Sequence, residues 1–213
     1  MNTDRLIIAL AAGVEPVDPS AGRWRLALST VAGFAAGLPL LLLLLGINPA
    51  LAQAAVLPMF WVKFAFVAAL AVAGWWTVAR LSRPGAALGR PAIALAMPVL
   101  AMAMLALSAL TLAQADQRLA LLLGSSWSAC PSLIALLSLP AFVLTLWAVK
   151  GLAPTRLRLA GAGAGMLAGA IGALVYLLYC PELAPPFLVV WYTLGMLIPA
   201  AAGAMVGPRL LRW

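Results

Sequence analysis

The sequence has no histidine, only two cysteines, and 5 acidic side chains among 213 residues. Without histidine it lacks the commonest general base and metal ligand. Charged residues make up 8% of the chain and hydrophobic residues 66%, and mean hydropathy is +1.11. A soluble domain of this length carries about 25% charged residues, so this chain lacks the charge to cover a water-facing surface. A bilayer is the solvent that fits, and the length suits one compact domain. Basic residues outnumber acidic ones, 13 to 5, giving a net charge of +8 and a pI near 10.8. They are scattered between apolar runs rather than gathered in a block, so direct contact with nucleic acid is not expected.

A transmembrane helix needs roughly 20 apolar residues. Runs of that kind cover 25–45, 60–79, 92–113, 131–149, 159–179 and 187–206, each bounded by proline, glycine or charge. The expected fold is all-α: a six-helix transmembrane bundle over 24–213, preceded by an arm over 1–23. Short connectors make neighbouring spans antiparallel. On that threading Arg5, Arg23, Arg25, Arg80, Arg83, Arg90, Lys150, Arg156, Arg158, Arg209 and Arg212 share one side, leaving Lys63 and Arg118 on the other. The positive-inside rule makes the basic side cytoplasmic and puts both termini there. All eight tryptophans fall near span ends, as an aromatic belt requires. A cleaved signal peptide is the competing reading of the first run, but the arm before it is long and acidic for one.

The span interiors are almost free of charge. Lys63 lies within a turn of the outer end of span two and is expected to snorkel outward. Ser108, Ser138 and Thr145 are expected to bond back to their own helices. Without a buried ionisable group near a midplane, a proton-coupled transporter, a pump or an intramembrane hydrolase is disfavoured, and no enzyme activity is expected. Gly161, Gly165 and Gly169 recur every fourth residue in span five, with similar pairs at Gly33 and Gly37 and at Gly203 and Gly207. Such rows let helix backbones approach closely. Packing inside the bundle is the favoured use, and a homodimer face stays open.

In the arm, Asn2, Thr3 and Asp4 form a capping start. Leu6, Ile7, Leu10 and Val14 then form an apolar stripe, and Gly13 and Pro16 end the helix. A short amphipathic helix of this kind can lie on the membrane or dock in a partner's groove.

The cysteines are the sharpest local feature. Cys130 and Pro131 open span four, and Cys180 and Pro181 close span five, so the two thiols should meet at the same outer surface. Proline suits the first helical position, which would make Cys130 the N-cap and the better nucleophile. Three uses are open: apolar packing, a structural disulfide, or a redox- or metal-responsive pair. Two thiols without histidine do not complete a zinc site. They suit a transient soft ion such as Cu(I), with Asp116 or Glu182 as helpers, and no resident cofactor is expected.

The chain resembles the NrsF-type membrane anti-sigma factors of Proteobacteria. The likeness runs from end to end. It rests on Thr3 to Ile7, Ala9 to Ala12 and Glu15 to Val17 at the start, and on Cys130 to Pro140 in the middle. Tyr179 to Glu182, Pro186 to Met196 and Gly207 to Trp213 continue it. The resemblance implies a six-span protein of the bacterial inner membrane. Such a protein holds an extracytoplasmic-function sigma factor away from RNA polymerase and releases it under heavy-metal or oxidative stress. It also implies that the paired cysteines, here Cys130 and Cys180, take part in sensing. Relatives often carry histidine just before the second cysteine, where this chain has Tyr179. The arm, from Asp4 through Leu6, Ile7, Leu10 and Val14, is then the expected sigma-binding segment. The alternatives are a small-solute transporter or channel, or a membrane thiol-redox protein.

Overall fold

The computed structural model describes residues 3–12, 20–83, 85 and 89–212. In chain order the helices are α1 (Thr3–Ala12), α2 (Ala21–Leu44), α3 (Leu51–Ala54), α4 (Pro58–Leu81), α5 (Arg90–Leu112) and α6 (Ala115–Leu123). They continue with α7 (Cys130–Leu137), α8 (Leu139–Lys150), α9 (Leu157–Tyr176), α10 (Pro185–Phe187) and α11 (Thr193–Leu210). Five elements are long and apolar enough to cross a bilayer: α2, α4, α5, α9, and the run from α10 through α11. The bent pair α7–α8 makes a sixth. Every expected span is present, shifted by a few residues at its ends. The short helices α3 and α6 were not expected.

The outside of the bundle is apolar. Along α5, Ile93, Met97, Leu100, Met104 and Leu107 are all more than half exposed. That stripe is inside-out for a soluble protein and suits lipid. The bundle centre is α9, which packs against α2, α4, α7, α8 and α11. Its glycines make this possible. A Cβ at Gly169 would lie 2.8 Å from Met196 Cα, and one at Gly165 would lie 2.7 Å from Ala200 Cα. Gly161 meets Gly203 backbone to backbone. The expected glycine row thus faces α11 of the same chain.

Span four is broken. α7 and α8 meet at 47°, where Pro140 has no N–H to offer the Leu136 carbonyl. Pro98, by contrast, sits inside an unbroken α5. The bend is filled by α9: a Cβ at Gly172 would lie 2.7 Å from Ile134 O and 2.8 Å from Ser138 N. Ser138 Oγ donates to Ala135 O at 2.6 Å and Ser108 Oγ to Leu105 O at 2.8 Å, as expected. Thr145 departs from that expectation, since its hydroxyl is buried with no hydrogen-bond partner among the described residues.

The spans alternate in direction. Arg25, at the start of α2, donates to the Trp147 carbonyl near the end of α8 at 3.1 Å and stacks on the Trp147 ring. Gly207, at the end of α11, lies against Leu157, the first residue of α9. These ends share one face, the one with most of the arginines. The opposite face is tied by Asn48 N donating to Leu178 O at 3.1 Å and Trp191 Nε1 to Leu122 O at 2.9 Å.

Gly165→Ala is expected to destabilise the bundle by about 1–3 kcal/mol through overpacking. Gly163→Ala meets its nearest atom, Thr77 Cγ2, at an ordinary 3.4 Å and removes a flexible helix residue, so it should be neutral or stabilising. Thermal unfolding of the two variants in detergent checks this, and equal midpoints would contradict the packing account.

Candidate functional site

The polar face of the bundle opposite the arginines is knitted around one segment, Cys180–Glu182, which crosses from the end of α9 toward α10. Helix α9 ends at Tyr176 because Pro181 cannot continue it, and Cys180 N closes the last turn on Tyr176 O at 3.0 Å. From α4, Lys63 reaches under this strap. Its ammonium donates to Cys180 O at 2.9 Å and Glu182 O at 3.0 Å, and it sits 5.0 Å from the centre of the Tyr192 ring. Lys63 is 0% exposed. The expectation that it snorkels outward is therefore corrected. The Cys180 and Glu182 carbonyls belong to the non-helical strap, and the side chain turns toward them rather than toward water.

On its other side the strap is latched by its own carboxylate. Glu182 Oε1 accepts from Ser125 N at 2.7 Å and Ser125 Oγ at 2.6 Å. Gly124, just before, has φ +56°, a left-handed conformation that glycine permits. A Cβ there would lie 2.8 Å from the Glu182 carboxylate, so the close approach also requires glycine.

The two thiols lie beneath the strap. Cys130 and Cys180 are free and buried, at 0% and 4% exposure. They share one apolar cluster with Phe66, Ile134, Tyr176, Phe187 and Tyr192. Each is within electrostatic reach of the other and of Lys63. The Tyr176 and Tyr192 rings stand 5.8 Å apart, and both hydroxyls are buried beside Cys180. The π-helical turn Leu188–Tyr192 sets Tyr192 in this position, one extra residue re-aiming the side chain.

The structure thus brings Cys130 and Cys180 together, but in a closed chamber rather than at an outer surface. Cys130 is the first residue of α7 and Ala129 the N-cap, one position from the expected assignment. Glu182 stands beside the thiols with its carboxylate committed to Ser125. Asp116 is exposed on α6. Among the described residues no three of Cys, Asp and Glu group as metal ligands. In the arm, Asp4, Leu6, Ile7 and Leu10 lie on α1, which buries none of its residues; Val14 lies outside the described residues. Lys63, Tyr176, Tyr192 and Ser125 were not singled out as site residues by the sequence. The available signal was Lys63 itself, a lone cation inside a span, and two of the three tyrosines lying close to Cys180 in sequence.

The family model described as NrsF, negative regulator of sigma F, matches residues 10–213. The chain is similar to a probable anti-sigma-F factor NrsF of Azospira oryzae, at 48% identity over 213 residues, covering 100% of both chains. It is also similar to the anti-sigma-F factor NrsF of Caulobacter vibrioides, at 43% identity over 218 residues, again covering 100% of both. No solved structure matches it.

Lys63→Met should free the strap. Loss of its two carbonyl anchors is expected to raise the open fraction, and with it the alkylation rate of Cys180 in a Cys130→Ser background, by about tenfold. An unchanged maleimide labelling rate would show that the strap does not depend on Lys63.

Proposed function

Because the chain belongs to the family of negative regulators of sigma F, we propose that it is a membrane anti-sigma factor. It holds an extracytoplasmic-function sigma factor at the bacterial inner membrane, away from RNA polymerase, and lets it go under metal or oxidative stress. The full-length likeness to two proteins named as anti-sigma-F factors carries this reading.

The face with most of the arginines is cytoplasmic in this proposal, by the positive-inside rule. Helix α1 supports a partner site on that side. Leu6, Ile7, Ile8 and Leu10 are between 41% and 68% exposed, a stripe suited to a groove on a binding partner. The buried chamber is the receiving end. Cys130 and Cys180, two neighbouring buried thiols close to Lys63, suit capture of a soft ion, or oxidation. Either event alters the packing under the strap at one end of α7 and α9. A signal then needs two bundle states that differ in affinity for the sigma factor. Rigid backbone contact along Gly161, Gly165 and Gly169 is the route by which a shift at one end of α9 reaches the other.

The bend in span four and the buried Lys63 are features that a solute pathway would also use. The bend, however, is closed by the backbone of α9 at Gly172, and Lys63 is spent on two carbonyls. Both favour a regulator over a conduit.

Deleting residues 2–14 is expected to abolish co-purification of the sigma factor from detergent extract and to leave its target genes constitutively active. Survival of the complex would place the main contact elsewhere. Replacing Cys130 and Cys180 together by Ser should abolish induction by metal or oxidant while repression persists. A normal response in that double variant would remove thiols from the sensing step.

A further inference from the structure

Both thiols are sealed from solvent, so a reagent that acts on them must first pass their cover. The walls around Cys130 and Cys180 come from α4, α7, α9 and the π-helical turn, whose backbones are closed by their own hydrogen bonds. The cover is irregular chain: the strap Cys180–Glu182 and the loop 124–129, neither of them helical. The strap is pinned from inside, because Lys63 takes the carbonyls at both its ends. The loop is pinned by three consecutive residues, each to a different element. Ser125 donates its N–H and its hydroxyl to the Glu182 carboxylate of the strap at 2.7 and 2.6 Å. Ser126 turns a buried hydroxyl inward beside Tyr176 of α9. Trp127 packs on Trp191 of the π-helical turn, with ring centroids 5.4 Å apart.

The loop has a pivot at one end and a thiol at the other. Gly124 ends α6 with φ +56° and lies against Phe187 of the chamber wall. Cys130 N donates to Ser126 O at 2.9 Å, so the loop runs straight into the head of α7. The Ser125–Glu182 tie is exposed, whereas Lys63 and its bond to Cys180 O are buried. Water competes for an exposed tie, so local opening costs least there. We propose that residues 125–127 form a lid over the thiol chamber. The Glu182 carboxylate locks it through Ser125, and it opens about Gly124 to admit reagents to Cys130 and Cys180. This rests on the sensing role proposed above and supplies the step that precedes it, the entry of the stress agent.

Maleimide alkylation of Cys180 in the full chain, in lipid nanodiscs and a Cys130→Ser background, tests this. When opening is fast relative to alkylation, the rate follows the open fraction. Glu182→Ala removes both bonds of the lock and should raise the rate by about tenfold or more. Ser125→Ala removes one and should raise it less, with little further effect once residue 182 is alanine. Glu182→Gln keeps an acceptor oxygen and should stay nearer the parent. Ser108→Ala, an exposed hydroxyl on α5, should leave the rate unchanged. An unchanged rate in Glu182→Ala would overturn the proposal. So would an equal rise in Ser108→Ala, or a rise that merely tracks a lowered thermal midpoint, since both mean general loosening. If Glu182→Ala fails to fold, Ser125→Ala and Glu182→Gln decide. With the sigma factor present, Glu182→Ala should also respond to a lower dose of metal or oxidant. Faster alkylation with an unchanged dose response would leave the lid standing and count against the sensing role instead.

Discussion

Direct backbone contact between α9 and its neighbours is the constraint from which the remaining arrangement follows. Without side chains at Gly161, Gly165 and Gly169, α9 can lie against the main chain of α11, and at Gly172 against that of α7. In a bilayer there is no hydrophobic gain in joining apolar helices, so such close van der Waals packing is what holds a bundle together. It makes α9 the central post. The bend between α7 and α8 is tolerated because α9 fills it, in keeping with the rule that irregular backbone at membrane depth must be covered by protein.

The polar chamber hangs from the end of that post. The Cys180–Glu182 strap leaves α9 with carbonyls that no helix satisfies, and a lysine inside span two supplies the donors. A buried charge is tolerable only when its hydrogen bonds are met. Here two carbonyls and an aromatic face surround the ammonium, while the Glu182 carboxylate is turned to Ser125 instead of to Lys63. The two thiols lie within electrostatic reach of this ammonium.

Much of the fold was legible in the sequence because membrane spans are written in runs. The apolar segments, the basic asymmetry and the four-residue glycine spacing each depend on local order, and each has a counterpart in the structure. The site was legible only in part. Pro131 and Pro181 mark where span four opens and span five closes, so antiparallel threading alone brings Cys130 and Cys180 together. Their burial was not legible, because the cover comes from Glu182 and Ser125, 57 residues apart. Lys63 was misread for the same reason. Near a span end, hydropathy favours snorkelling, and only the strap from a segment 117 residues away supplies acceptors inside. The π-helical turn that aims Tyr192 has no signature in composition or period.

The proposed relay joins two ends of one rigid bundle, and its central claim is that the state of the chamber sets the affinity of the other end for a sigma factor. The most direct measurement is the dissociation constant of the partner sigma factor for the full chain in lipid nanodiscs, with Cys130 and Cys180 first reduced and then oxidised or loaded with a soft metal ion. The account expects affinity to fall by about tenfold or more, equivalent to a coupling of about 1.4 kcal/mol. The same affinity in both states would contradict it.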